Sequence, residues 1–272
     1  MSKKYEELNF TDDFMFCKIL YNNPELCKKL LELILRTKIK EIKYLAKQES
    51  IDITSDGKGV RLDVYLENEN KVYDIEMQTT GNSNLPKRTR YYQGMIDLNL
   101  IEKGADYQEL KESFIIFICL HDPFYEDRCI YTFENRCREN TDIFLGDEST
   151  KVFLNASGDK KEIDEELRFL LEFLSGKEPQ GNLAIQIAEK VKQATAHEEW
   201  RTEYMTLLQR DREKFAEGKE EGKREGRKEG RKAERIVAVR NMMEMGIPKE
   251  KILQKYTLEE LQEAEAMSID MK

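Results

Sequence analysis

Residues 60–78 read VRLDVYLENENKVYDIEMQ, in which two short segments alternate between apolar and polar side chains. Successive side chains of a β-strand point to opposite faces, so alternation with a period of two predicts a strand in each segment. The second segment places Asp74, Glu76 and Gln78 together on its polar face. Polar side chains in strands that are otherwise so apolar indicate a chemical role for that face.

The first of these segments carries an acidic residue among apolar ones. Alternation places Val60, Leu62, Val64 and Leu66 on one face of the strand and Asp63 on the other. Aspartate is depleted in strands, so its presence here favours a role other than an ordinary surface carboxylate.

A β-hairpin is the natural connection between the two strands, because only the polar run 68–71 separates them. Pairing the strands brings Asp63 close to Glu76 on a common face. Two carboxylates held side by side repel each other unless a cation or a proton lies between them. A divalent metal ion is therefore the simplest explanation for the pair.

The length of 272 residues allows one large domain, or one domain with an appendage. Acidic residues outnumber basic ones, 54 to 45, which gives a net charge of −9. A strongly basic field is the usual mark of nucleic-acid binding, so the overall charge does not indicate it. A basic groove on an acidic protein remains compatible with these numbers.

The cysteine pattern and the start of the chain favour a cytoplasmic protein. The five cysteines are scattered, which suits a reducing compartment, and two histidines without a Cys-x-x-Cys pair argue against structural zinc. The first residues are charged and lack a secretory apolar segment. The longest apolar run, 114–120, is too short to cross a bilayer, so we expect no membrane partner.

Helical and strand patterns alternate along residues 1–180. The predicted helices cover 9–21 with Thr11 as N-cap, the segment that begins at Pro24, 87–103 and 163–174, and further strands are expected in 39–50, 113–120, 129–133 and 151–154. The continuous apolar run 113–120 is typical of a strand that is covered on both faces. Together these elements predict a compact α/β domain.

Residues 181–272 form a charged region with helical periodicity. Within it, 217–232 repeats Glu-Gly-Lys/Arg-like units with glycines at 218, 222, 226 and 230. Two interpretations stay open: a solvated helix weakened by roughly 1 kcal/mol per glycine, or a slanting stripe where two backbones approach closely. Residues 233–272 predict a small helical hairpin or a helix-turn-helix-like unit. Thr257 would cap its last helix, whose acidic character favours protein contact over DNA contact.

Six motifs occur in a characteristic order along the chain. They are NFTDDF at 9–14, LDV at 62–64, IEMQ at 75–78, RxxYY at 88–92, GADY at 104–107 and the Gly-Lys/Arg-Glu repeats near the C-terminus. In this order they resemble the PD-(D/E)XK nuclease superfamily, and within it the family of recombination-promoting nucleases and transposases. The resemblance implies a restriction-endonuclease-like mixed central sheet flanked by helices, with an α-helical C-terminal extension.

The resemblance also implies a metal-dependent nuclease site. Asp63 and Glu76 would be catalytic ligands of Mg²⁺, with Mn²⁺ as the alternative, and Met77 would add its backbone carbonyl. An acid from the first helix often joins such a site. Asp13 and Glu25 are the available choices, and the sequence does not select between them.

Gln78 stands where the superfamily most often has lysine, and it is the third catalytic candidate. An amide can orient water or contact phosphate, but it supplies no positive charge. Lys87, Arg88 and Arg90 lie near the start of the next helix and could supply that charge, and a helix N-terminus also favours phosphate. These three residues and Tyr91 are therefore the predicted DNA contacts.

Three functions are compatible with the sequence. The resemblance favours a Mg²⁺-dependent DNA endonuclease linked to DNA recombination or transposition. The alternatives are a catalytically inactive DNA-binding or transposition-accessory protein on the same fold, and a helical scaffold whose N-terminal domain serves only as a folded cap. The expected partners are DNA and further copies of the chain, assembled through the C-terminal helical region.

Overall fold

Eight β-strands lie in the part of the chain that the structure, a computed structural model, describes: residues 3–44, 50–51, 60–68, 70–81, 84–161 and 163–269. The strands are β1 (Lys43–Tyr44), β2 (Ser50–Ile51), β3 (Val60–Arg61), β4 (Val64–Glu67), β5 (Lys71–Gln78), β6 (Glu112–Cys119), β7 (Ile130–Phe133) and β8 (Ser149–Asn155). Six of them form one sheet in the order β1-β4-β5-β6-β8-β7, and β2 pairs with β3 in a separate ribbon. Strands β5, β6 and β8 are parallel, whereas β1, β4 and β7 are antiparallel to their neighbours, so the sheet is mixed.

Helices flank this sheet, which confirms the predicted restriction-endonuclease-like α/β fold. The helices are α1 (Asp13–Asn22), α2 (Pro24–Leu35), α3 (Leu85–Leu100), α4 (Glu165–Leu174), α5 (Gly181–Thr195), α6 (Glu198–Glu244), α7 (Lys249–Ile252) and α8 (Leu258–Ile269). The contacts divide the chain into two compact units, Met1–Tyr204 and Met205–Lys272. The sheet and helices α1 to α5 belong to the first unit, where α5 packs against α1, α2 and α4.

Strands β5 and β6 are buried on both faces, and this fixes the position of the candidate site. On one face, Ile115 and Phe117 belong to a cluster with Tyr92, Met95 and other buried residues of α3. Ile116 and Ile118 of the same strand point away from α3 and are fully buried as well. Because α1, α2, α4 and α5 pack together and α1 contacts β4, we assign this second face to the layer of those four helices.

The predicted strands and helices mostly agree with the structure; the differences lie in the first and third helices, in 39–50 and in the segment that contains Asp63. The N-cap of α1 is Asp12 and not Thr11, because the helix begins one residue later than the pattern indicated. Helix α3 covers Leu85–Leu100 and not 87–103. Within 39–50, where a strand was expected, the structure contains β1 and the first residue of β2. Residues 45–49 lie outside the described residues.

The segment that contains Asp63 is not one continuous strand. Strand β3 ends at Arg61 and β4 begins at Val64, so Leu62 and Asp63 form a break between them. Leu62 packs in the cluster under α3, whereas alternation had placed it on the same face as Val64. That prediction was wrong because a change of backbone direction resets the period-two pattern. The hairpin itself is confirmed, since β4 and β5 pair antiparallel.

The second unit is helical. Its apolar cluster consists of Ile236, Val239, Ile252, Leu261 and Ala264, which come from α6, α7 and α8. These three helices pack together through this cluster. None of the helices described is long and apolar enough to span a membrane.

The caps of this unit follow the predicted chemistry. The backbone N–H of Glu260 donates to the Thr257 hydroxyl, so Thr257 caps α8 as predicted, and the Thr257 N–H donates back to the Glu260 carboxylate. The reciprocal pair is a capping box. Arg235 of α6 binds the same carboxylate, which ties α8 to α6.

Replacing Gly218, Gly222, Gly226 and Gly230 by alanine is expected to stabilise α6. A Cβ atom at each position meets nothing within 4 Å in the single chain. Alanine is favoured over glycine in a helix interior by roughly 1 kcal/mol per site, so far-UV circular dichroism should show higher helicity and a later thermal transition. Gly158→Ala is the opposite control: its Cβ would lie 2.5 Å from the Arg128 carbonyl oxygen, and the variant should be destabilised.

Light scattering of the same fourfold variant separates the two interpretations of the glycine stripe. An unchanged mass supports a solvated helix. A fall in mass, despite a more stable helix, supports close approach of two backbones at the stripe.

Candidate active site

Asp63 and Glu76 lie opposite each other at one end of the β4–β5 hairpin. Val64 pairs with Ile75, so the register continues to Asp63 opposite Glu76. The backbone N–H of Asp63 donates to Glu76 Oε1 at 3.0 Å, and the backbone N–H of Met77 donates to Asp63 Oδ2 at 3.2 Å. Each carboxylate therefore reaches the backbone of the opposite segment, and the structure brings the two together.

Arg88 of α3 supplies the positive charge beside the Asp63–Glu76 pair. Its Nη2 atom donates to Glu76 Oε2 at 2.6 Å and its Nη1 atom to Gln78 Oε1 at 3.1 Å. Its Nε atom donates to the hydroxyl of Tyr92 at 2.8 Å. The side chain of Glu76 is 1% exposed and that of Arg88 is 31% exposed, so the guanidinium separates the carboxylate from solvent.

Gln78 holds Arg88 in place from the sheet side. While its Oε1 atom accepts from Arg88, its Nε2 atom donates to the Thr80 carbonyl at 2.7 Å and to the Thr80 hydroxyl at 3.1 Å. The guanidinium also lies over the ring of Phe117, 5.1 Å from its centroid. The charge that Gln78 lacks is thus supplied from α3, and the amide orients it.

Burial dominates the electrostatics of the site. It raises the pKa of Glu76 to about 8, and the Asp63 carboxylate adds to the rise, while Arg88 and the Asp63 N–H oppose it. Asp74, two residues earlier on the same face, is completely buried. Burial, followed by the charges of Glu76 and Asp63, raises its pKa well above the ordinary range. A hydrogen bond with the Glu76 carboxyl group favours the same protonated form, and no other described group serves the Asp74 carboxyl oxygens.

Asp13 is the first-helix acid that acts on the site. It is the first residue of α1, and its negative charge contributes to the raised pKa of Glu76. Glu25, the other choice left open by the sequence, does not figure among the groups that shift that pKa. Electrostatics therefore favour Asp13.

The predicted DNA contacts on α3 separate into two groups. Arg88 turns inward to Glu76, whereas Lys87, Arg90 and Tyr91 are exposed. Tyr92 is buried in the core cluster, and sequence reasoning missed its role as an acceptor for Arg88. The spacing of four residues between Arg88 and Tyr92 was the available signal, because such side chains are neighbours on a helix. Nothing in the sequence pointed to Thr80.

Comparison with known families identifies the family of this chain. The family model described as "PD-(D/E)XK nuclease family transposase" matches residues 11–221, which is most of the chain. The chain belongs to this family. No curated protein and no solved structure matches this member of the PD-(D/E)XK transposases.

The oxygen ligands at this candidate site suit a hard divalent cation, but the structure does not arrange them around a single metal position. Asp63, Glu76 and Asp13 offer carboxylate oxygens, the ligands that Mg²⁺ prefers. Within the described ranges, no group of three or more His, Cys, Asp or Glu side chains is placed to hold a metal ion. In the structure the guanidinium of Arg88 occupies the cation position at Glu76.

Asp74→Asn is expected to stabilise the metal-free protein increasingly as the pH rises. The folded state keeps a proton on Asp74 that the unfolded chain releases, so wild-type stability falls as the pH rises above the ordinary aspartate pKa. Asparagine has no such proton to lose. Urea unfolding in EDTA between about pH 5 and pH 8 should show a growing advantage for the variant.

The matched control for that series is Asp142→Asn, because Asp142 is an exposed loop residue. It should leave the free energy of unfolding within about 0.5 kcal/mol of wild type. Equal pH dependence of wild type and Asp74→Asn would show that Asp74 is charged in the folded state.

Arg88→Met is expected to destabilise the protein, and more so at alkaline pH. The change leaves the Glu76 carboxylate buried without its cation, a loss of up to about 3 kcal/mol near pH 8. At about pH 5 Glu76 can be protonated, so the loss should be smaller. Lys87→Met, which removes an exposed charge from the same helix, is the control, and urea unfolding is the measurement.

Proposed function

We propose that this chain is a metal-dependent DNA endonuclease linked to DNA recombination or transposition. The observation that carries the proposal is the pairing of Asp63 with Glu76 beneath the guanidinium of Arg88. Two carboxylates, one of which raises the pKa of the other, beside one fixed positive charge form the kind of site that handles a cation and a phosphodiester. Membership of a nuclease family of transposases supports the same conclusion.

Asp63 and Glu76 would hold Mg²⁺ or Mn²⁺, with the carbonyl of Met77 and the carboxylate of Asp13 as further oxygen donors. The ion, when bound, lowers the pKa of a water molecule and neutralises charge on the scissile phosphate. Deprotonated Glu76 is required for this role, so its raised pKa makes the site more competent at alkaline pH. Within the chain, Asp63 fixes Glu76 through its backbone N–H.

Arg88 would act on the phosphate that is cleaved. Its side chain is the exposed member of the pair with Glu76, so a phosphate can be contacted from the solvent side. A guanidinium binds phosphate through a planar fork, which a lysine at position 78 could not offer. Gln78 and Tyr92 hold this fork in one orientation.

The exposed side chains of α3 would position the DNA backbone. Lys87 and Arg90 lie within the first turns of the helix, where the positive end of the helix dipole also attracts phosphate. Tyr91 is 42% exposed and can contact a sugar or a base. We assign to these three residues binding rather than catalysis.

A second candidate function is that of a catalytically inactive DNA-binding or transposition-accessory protein. The burial of Glu76 and its ion pair with Arg88 favour it, because both must be disturbed before a metal ion reaches the carboxylate. The division into a nuclease-like domain, 1–180, and a charged helical region, 181–272, stays a proposal. So do assembly through the C-terminal helices and a cytoplasmic location.

Nicking of supercoiled plasmid DNA tests the proposal. The wild-type protein should nick it with Mg²⁺ or Mn²⁺ and not with EDTA, faster at about pH 8.5 than at about pH 6.5 because Glu76 must lose its proton. Asp63→Ala and Glu76→Gln should each lower the rate about a hundredfold or more. Asp142→Ala, a change at an exposed loop residue, should leave it unchanged.

Equal rates for the wild-type protein and both site variants would reject these residues as the catalytic pair. DNA retention in EDTA by every variant, without nicking under any condition, would favour the inactive DNA-binding alternative.

A further inference from the structure

A large cavity lies on the α3 side of the sheet, away from Glu76. One helix is about 10 Å wide and strands are spaced about 4.8 Å apart, so a single helix covers roughly two strands. Helix α3 packs on β6, while β8 and β7 continue the sheet beyond it. The space left over these outer strands has a volume of about 1120 Å³ and is lined by residues of α3, β6, β7, β8 and the loops beside them.

Three phenylalanines form an aromatic floor in this cavity: Phe124, Phe133 and Phe153. The ring of Phe124 lies 5.0 Å from that of Phe133 and 5.0 Å from that of Phe153, measured between centroids. Phe133 keeps 45% of its surface exposed. Such a partly open ring next to packed rings offers a face on which another flat group can stack.

A polar wall faces the aromatic floor. The Nε2 atom of Gln93 donates to Asp97 and to Ser113, each at 2.8 Å, and the Ser149 hydroxyl donates to Gln93 Oε1 at 3.1 Å. Lys151 contacts the Ser149 hydroxyl, and its ammonium lies within ion-pair distance of none of the described carboxylates. Burial lowers the pKa of Lys151 and raises that of Asp97.

The charges of the cavity limit what it can hold. Its basic residues are Arg90, Lys111 and Lys151, and its acidic residues are Asp97, Glu134, Asp147 and Glu148. Lys111 is already paired with Glu67. With no excess of positive charge, the interior does not favour a phosphorylated group. It suits a flat, uncharged ring whose edge carries both donors and acceptors.

We propose that this cavity binds an unstacked nucleobase of a DNA strand, with the phosphates left outside along α3. The ring stacks on the aromatic floor, and its edge meets the amide, hydroxyl and ammonium groups of the polar wall. Arg90 lines the cavity two residues after Arg88, so one strand can place a base here while its backbone follows the helix that carries the catalytic candidate. The inference rests on DNA as the partner in the proposed function, and it adds recognition of a base to it.

Binding of two single-stranded oligonucleotides in EDTA tests the base pocket. One is an oligothymidylate, and the other is an abasic strand with the same number of phosphates, both followed by fluorescence anisotropy with the full-length protein. Stacking of a base on aromatic side chains strengthens binding. The wild-type protein should therefore bind the base-containing strand roughly 5- to 100-fold more tightly than the abasic strand. Phosphate contacts alone would give no preference.

Two cavity variants and one control complete the test. Phe133→Leu keeps an apolar side chain but removes the ring, and Asn135→Trp fills the cavity from an exposed lining position. Both should reduce the preference to near unity. Tyr125→Ala removes an aromatic residue that is 91% exposed and does not line the cavity, and it should keep the wild-type preference.

Equal wild-type affinity for the two strands, or a preference that survives in both cavity variants, would overturn the inference. If plasmid nicking still depends on Asp63 and Glu76, the endonuclease proposal stands in that case. A base preference without any nicking would leave the pocket supported and the endonuclease rejected. Failure to bind either strand overturns the pocket as well, while plasmid nicking decides separately whether duplex DNA is the partner.

Discussion

The ion pair between Glu76 and Arg88 is the constraint on which the candidate site depends. A carboxylate that is 1% exposed is unfavourable by several kcal/mol unless a cation or a proton accompanies it. The sheet must therefore place Glu76 within reach of a guanidinium from α3. For the same reason, α3 must begin close to the end of β5. Contacts with Gln78, Tyr92 and Phe117 hold the Arg88 guanidinium in this position.

The same pair gives the site two opposing requirements. Arg88 stabilises the folded chain by neutralising Glu76, yet it holds the carboxylate that the proposed metal ion would need. Proteins commonly give up some stability at sites where charges must remain available for chemistry. Asp74 fits this pattern, since its fully buried carboxyl group lies beside two other carboxyl groups that raise its pKa, an arrangement that costs stability.

Much of the fold could be predicted from local patterns. The alternation in β5, the apolar run of β6 and the Asn23-Pro24 start of α2 each indicated the element that the structure contains. The hairpin followed from the four polar residues between its strands. These elements were predictable because side-chain periodicity and capping act over a few residues.

The site was predictable only in part. Proximity of Asp63 and Glu76 followed from the hairpin, but the break at Leu62 and the burial of Asp74 depend on what α3 covers. The pairing of Arg88 with Glu76 needed the path of the 79–84 connection, of which residues 82 and 83 lie outside the described ranges. The aromatic floor joins residues 124, 133 and 153, and no periodic pattern links positions so far apart in the sequence.

The borders of the sheet have a consequence for how this chain can associate. The outermost strand β7 contains four residues, and β1 at the other border contains two of the residues that the structure describes. An edge strand exposes unpaired backbone groups that can recruit a strand from another molecule, and a short edge offers few of them. Addition of a further strand along the β7 border is therefore disfavoured, and a contact that another protein makes there has to rely on side chains.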